Sequence, residues 1–268
     1  MCASVGAAIA TASAIASSSA LLAAVVAVPT ELHRQISVPL LERGIPVLVE
    51  KPMSRSLEDA DAMLEAAEKG NALLAVGHTE RHNPAVEVGM RLVTAPRFIE
   101  VHRLSAFPDR SLDIDVVFDL MIHDLDIVLA VVKSDVTAIE AVGVPVLTSK
   151  YDIANVRLRF AAGCIANITA SRISKDRVRK IRFFQQDAYL SIDYASQEVE
   201  GYRLVRRASR PDIEGGPIPV ERDEPLRREL ADFVRAVRTG GKPLVDGEAG
   251  RRALELAARI AEKMESVG

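Results

Sequence analysis

Cysteine is scarce in this 268-residue chain. Cys2 and Cys164 lie too far apart for a zinc or redox motif and are too few for a disulfide framework. That scarcity sets a reducing, cytoplasmic compartment as the expectation. An excess of either charge is also lacking. The 34 basic and 37 acidic residues leave a net charge of −3, which gives no electrostatic footprint for nucleic acid or an anionic membrane surface. There are five histidines. Beside His123-Asp124, the others (His33, His78, His82 and His102) supply no second ligand pair at helical spacing, so no metal is expected. No lysine or arginine precedes Arg34. The Ala/Ser-rich start thus lacks the positive flank of a secretory signal, and Ser17, Ser18 and Ser19 break the apolar run a membrane span needs.

Apolar residues are plentiful, at 49% of the chain, enough for a substantial core. From residue 24 their arrangement becomes regular. Ala24–Val28, Ile45–Val49 and Leu73–Val76 read as short buried strands. Between them lie two helical patterns, Glu31–Arg43 and Leu57–Lys69. The first has Thr30 as its N-cap and contains Pro39. The second has Ser56 and Asp59 in capping-box spacing, and Gly44 and Gly70 act as stops. Strand–helix alternation at this spacing predicts a parallel sheet covered by helices. Beyond Pro84 the pattern changes. Phe98–Leu104, Asn155–Phe160, Cys164–Ala170, Arg179–Phe184 and Tyr189–Asp193 read as strands in hairpin-like succession, with Asp119–Val132 as an intervening helix. Arg207–Asp223 reads as a loop, and Leu226–Arg238 and Gly250–Met264 as amphipathic helices. The expectation is an α/β chain: an incomplete Rossmann-like domain over residues 1–80, then an α/β domain over 81–268 with a large, open, mostly antiparallel sheet.

Four sites along this frame carry chemistry. In the helix from Asp119, the residues Asp119, His123 and Asp126 are spaced i, i+4 and i+7 and so share one face. The rest of that helix is apolar. A buried polar stripe costs several kcal/mol, on the order of 2–7 per group, unless each group finds a partner. A histidine with a carboxylate one turn away suits proton transfer. The same spacing reads equally as acids favouring a helix N-terminus, with a histidine satisfied inside the fold. Glu50-Lys51-Pro52 ends a parallel strand, where open α/β sheets bind ligands; a lysine at a loop also simply snorkels to solvent. Val28–His33 occupies another strand end, and Gly77–Pro84 lies where the two domains join. Lastly, Arg172, Lys175, Arg177, Arg179, Lys180 and Arg182 form a basic stretch. It reads as a solvated strand face or subunit contact, or as a grip on a substrate phosphate.

In this order and spacing the motifs resemble the glucose–fructose oxidoreductase, inositol dehydrogenase and MocA (Gfo/Idh/MocA) family. The family's strand-Pro-Thr/Asn-x-x-His turn matches Pro29, Thr30 and His33, and its Glu-Lys-Pro matches Glu50, Lys51 and Pro52. Its Asp-x-x-x-His with a further Asp matches Asp119, His123 and Asp126. Its C-terminal Glu-Leu…Phe and Gly-x-x-Pro match Glu229, Leu230, Phe233, Gly240 and Pro243. The likeness runs from residue 24 to the C-terminus. It implies NAD or NADP, NAD in preference, and hydride transfer at a sugar, cyclitol or nucleotide-sugar carbon. It implies Lys51 and His123 as the proton-handling pair, assisted by Asp119, all in one pocket. Pro29, Thr30, His33, Glu50 and Lys51 would line the nicotinamide half of the cofactor. Gly77–Pro84 and Ala170–Arg172 look closest to members acting on UDP-linked amino sugars, making Arg81, Asn83, Asp126 and Arg172 the expected substrate contacts. A homo-oligomer is implied as well.

The departure is at the front. Family members open with a Gly-x-Gly-x-x-Gly turn inside a βαβ unit of about 30 residues. No such turn occurs here, and Met1–Ala23 has no acidic residue to hold a ribose. The alternative expectation is therefore a non-catalytic relative serving as an interaction subunit.

Overall fold

The computed structural model describes residues 22–107, 114–206 and 211–265. The Ala/Ser-rich start, with Cys2, lies outside them. The chain divides into two compact units. One holds the described residues through His78 together with Leu226–Glu255. The other holds Thr79–Pro225 and the described residues from Leu256 onward.

The first unit is built on a parallel sheet, β1 (Ala24–Val26), β2 (Val47–Glu50) and β3 (Leu74–Gly77), in that spatial order. Val47, Leu48 and Val49 are buried on both faces of β2, the pattern of a parallel strand covered by helices. Thr30 does not cap a helix. Thr30–Leu32 forms a 3-10 turn opened by Pro29, and the helix proper, α1, runs over His33–Leu41. Ser56 does cap α2 (Leu57–Lys69): the Asp59 amide donates to Ser56 Oγ at 3.2 Å. The other half of a capping box is missing, because the Asp59 carboxylate instead takes Arg34, 2.9 Å away. Gly44, at φ +76°, ends the α1 segment where a side chain would be strained. The C-terminal stretch adds α5 (Pro225–Thr239) and the first half of α6 (Gly247–Glu265). Phe233 of α5 packs with Leu48 and Ala75, and a Cβ on Gly250 would stand 2.4 Å from Val76, so α6 lies tight against β3.

The second unit is dominated by an eight-stranded sheet. Its strands are β4 (Phe98–Leu104), β5 (Val136–Val144), β6 (Ile153–Phe160), β7 (Ile165–Ser171), β8 (Val178–Phe184), β9 (Ala188–Asp193), β10 (Glu198–Arg206) and β11 (Pro211–Ile218). Their spatial order is β11-β10-β9-β8-β4-β7-β6-β5. β4 and β7 pair in parallel, and every other neighbouring pair is antiparallel. β11 corrects the loop expected over Arg207–Asp223. It pairs residue for residue with β10, and Gly215 adopts φ +148° where a Cβ would lie 2.0 Å from the Gly201 carbonyl oxygen. Long-range pairing outweighs the local Gly and Pro signals. One sheet face is apolar, with Ile99, Val101, Ile181, Phe183, Leu190 and Ile192 buried. The other carries a cross-strand row of rings: Phe98–Phe184, Phe184–Tyr189 and Tyr189–Tyr202 centroids are 5.5, 5.2 and 6.3 Å apart. Helix α3 (Pro84–Leu92) is capped by Asn83, whose Oδ1 accepts from the Ala85 amide at 3.0 Å. The helix expected over Asp119–Val132 begins differently. Val117–Met121 is a π turn, in which the Ile122 amide reaches back to the Val117 carbonyl, and α4 proper runs over Ile122–Val132.

Candidate active site

In the first unit the motif residues gather at the carboxyl ends of the parallel strands, where the chain leaves each strand for a loop. Pro29 is exposed, and Thr30, Glu50 and Lys51 are half-buried. Gly77 lies opposite Glu50 across β2 and β3. A Cβ on Gly77 would stand 3.1 Å from Glu50 Oε2, so the glycine leaves room for that carboxylate. His33 is different. It is 1% exposed, with Nε2 3.0 Å from the Val28 carbonyl oxygen and Nδ1 3.1 and 3.3 Å from those of Pro52 and Met53. The ring therefore fastens the loop after β1 to the loop after β2.

In the second unit Asp119 sits in the π turn and His123 in the first turn of α4, both half-buried. π turns are frequent at functional sites. Around them, α4 is fixed by charge. Asp124, fully buried, takes a two-pronged bond from Arg103 of β4, with Nε to Oδ2 2.6 Å and Nη2 to Oδ1 3.0 Å. The third edge of Arg103 reaches Glu80 Oε1 at 3.1 Å, and its guanidinium lies 5.3 Å from the Tyr194 ring centroid. Burial lowers the Arg103 pKa, but Asp124 and Glu80 more than offset it, leaving a net rise. Burial pushes Asp124 up, with Arg103 pulling it back. Tyr194 is raised by burial and by the carboxylate of Asp124.

Arg81 and Asp126 pair with each other, Nη1 lying 3.2 and 3.3 Å from the two carboxylate oxygens, with only 10% and 3% of the side chains exposed. Asn83, besides capping α3, donates to the Tyr194 carbonyl at 3.0 Å. Arg172 is wholly buried: its Nε meets Asp152 Oδ1 at 2.9 Å and its Nη1 the Ile114 carbonyl at 2.7 Å. Asp152 also accepts the amides of Val146, Leu147 and Thr148. Burial alone would raise its pKa, yet those amides, the Thr148 hydroxyl and Arg172 hold it well below the usual carboxylate range. The residues expected to grip substrate (Arg81, Asn83, Asp126 and Arg172) are thus engaged inside the fold. Of the remaining basic stretch, Arg182 pairs with Glu100 at 2.6 Å and Lys180 with Asp193 at 3.8 Å, cross-strand pairs of the exposed face. Sequence reasoning missed Arg103, Glu80 and Asp152, because the charged partners that engage them lie 20 to 23 residues away along the chain.

A family model described as an oxidoreductase family with an NAD-binding Rossmann fold matches residues 3–78, and a GFO/IDH/MocA C-terminal domain model matches residues 58–190. The chain belongs to the Gfo/Idh/MocA oxidoreductase family. It is 35% identical to a UDP-N-acetylglucosamine 3-dehydrogenase of Acidithiobacillus ferrooxidans over 92% of this chain and 81% of the relative. It is 26% identical to a myo-inositol 2-dehydrogenase of Thermotoga maritima over 88% of this chain and 75% of that protein. A solved structure of the Acidithiobacillus ferrooxidans enzyme superposes with a TM-score of 0.85 at 33% identity, covering 91% of this chain and 78% of that one. A levoglucosan dehydrogenase complex with NADH and L-sorbose shares the fold, at TM-score 0.83 and 18% identity over 95% of this chain and 80% of the other. Membership makes this chain a dehydrogenase-type enzyme of a family acting on sugars and cyclitols with a nicotinamide cofactor. Among the described residues no helix is long and apolar enough to cross a membrane, and no three His, Cys, Asp or Glu side chains gather as a metal site requires.

Proposed function

We propose that the chain interconverts a secondary hydroxyl and a ketone on a nucleotide-linked amino sugar, with NAD in preference to NADP. Similarity along nine-tenths of the chain to a UDP-N-acetylglucosamine 3-dehydrogenase is the observation that carries the substrate class. The half-buried Asp119 and His123 at the head of α4 carry the chemistry. At the strand ends of the first unit, the Thr30 hydroxyl and Glu50 carboxylate, uncrowded by Gly77, form a donor and acceptor set that fits a carboxamide and ribose hydroxyls.

NAD bound there supplies the hydride acceptor for oxidation. The proton falls to the chain's own residues. His123 takes it from the hydroxyl as general base. Asp119 orients His123 or a neighbouring substrate hydroxyl. In reduction His123 returns the proton. Loss of a general base costs about 10²–10⁴ in rate. His123→Ala is expected to lower kcat on the nucleotide sugar by that order and to leave NADH affinity, read by fluorescence titration, unchanged. Undiminished turnover would remove His123 from the mechanism.

The same reading assigns cofactor to the N-terminal part and substrate and self-association to the rest, in a cytoplasmic homo-oligomer. The ring row Phe98–Phe184–Tyr189–Tyr202, with Tyr202 38% exposed, is an apolar strip of the kind that draws copies together. A monomer by sedimentation at micromolar concentration would refute the assembly.

A further inference from the structure

We propose that Arg103 and Arg81 are positioning residues for His123, together setting the roll of α4 about its axis. On a helix of 3.6 residues per turn, Asp124 lies about 100° to one side of His123 and Asp126 about 60° to the other. Each carboxylate is held by an arginine from a different anchor. Arg103 sits in mid-sheet on β4, with Ala170 and Arg179 as its register neighbours. Arg81 comes from the 3-10 turn Thr79–His82. The two anchors are themselves joined, because Glu80 bonds Arg103 and Asn83, at the end of that turn, donates to Glu80 Oε2 at 3.3 Å and to the Tyr194 carbonyl. A roll of α4 that swings His123 either way also carries both carboxylates away from guanidinium groups fixed on other elements.

Stability does not account for this arrangement. Buried ion pairs are commonly matched or bettered by apolar packing of the same volume. What a forked guanidinium adds is direction. Ile122, Leu125, Ile127 and Val128 of α4 are buried apolar residues, whose packing is non-directional, and the helix begins in a π turn. Packing alone therefore leaves the roll loosely specified.

The proposal rests on His123 as the proton-handling group, so its test begins with a reading independent of turnover. Imidazole ¹H–¹⁵N spectra of the full chain are recorded without cofactor, with His123→Asn identifying the His123 signals. Arg103→Lys keeps the charge but loses the fork. The paired variant Arg103→Met/Asp124→Leu keeps the volume and removes both charges, covering the case in which Arg103→Lys does not fold. Arg81→Lys tests the other brace. The expected result is one sharp His123 signal set in the wild type. The braced variants shift it, broaden it or give it mixed tautomers, while His33, in the other unit, is unchanged. In an active preparation, kcat falls at least tenfold in Arg103→Lys with the KM for NAD unaltered. His123 signals identical to wild type in both Arg103→Lys and the paired variant would overturn the proposal, whatever the kinetics. If the signals move as expected but His123→Ala turns over normally, the brace stands and the mechanism fails.

Discussion

The two units hold their motif residues by different means. In the first, the chain itself does the holding. Strand ends place Glu50 and Lys51, and His33 ties loops together through three backbone carbonyls. In the second, side-chain charge does it: Arg103–Asp124, Arg81–Asp126 and Arg172–Asp152 are all buried pairs. Backbone anchoring tolerates a change of side chain as long as the loops keep their course. An ion pair inside a core does not, because removing one partner leaves the other charged and dry.

The sharpest way to break that comparison is Arg172→Met. It leaves Asp152 with its amide and hydroxyl donors but no cation, and the expected loss is about 3–5 kcal/mol of unfolding free energy by denaturant titration. A loss under about 1 kcal/mol would show that charge is not what holds this unit. His33→Leu removes the ring N–H from whichever of the Val28 and Pro52 carbonyls it donates to, for about 1–3 kcal/mol. A cost equal to that of Arg172→Met would erase the contrast. The pH dependence sharpens it. Asp152 is depressed in the folded chain, so its contribution is complete above the ordinary carboxylate value near 4 and is lost as pH falls through the folded value. Below about pH 4 the wild type should lose up to about 1.4 kcal/mol per pH unit more steeply than Asp152→Asn. Parallel slopes would place the acid sensitivity elsewhere. Smallest is Arg34→Ala, which removes a half-exposed pair with Asp59 and should change stability by less than about 1 kcal/mol.

This contrast also explains what the sequence disclosed. Glu50-Lys51-Pro52 and Asp119…His123 are local strings whose spacing survives folding, so they and the parallel α/β frame were readable. Arg172 and Arg81 were legible as cations but not as internal ones, since their partners lie 20 and 45 residues away. Arg103 lies in phase with Ile99 and Val101, so alternation alone puts it on the inward face, but nothing local names Asp124, 21 residues away, as its partner. β11 was hidden for a similar reason: Gly215, Gly216 and Pro217 spell a loop locally, and only β10 makes them a strand.

The π turn before His123 bears on how this chain tolerates gain or loss of a residue. A π turn closes on the fifth residue where an α turn closes on the fourth, so Val117–Met121 already contains a one-residue surplus. Deleting one residue there lets the turn tighten into a regular one, with the segments on either side still in phase. The same deletion a turn later, inside Ile122–Val132, has no slack to absorb it and turns the residues on one side by about 100°, parting the aspartates from their arginines. Counting errors are thus absorbed immediately before the histidine and nowhere along the regular helix that follows.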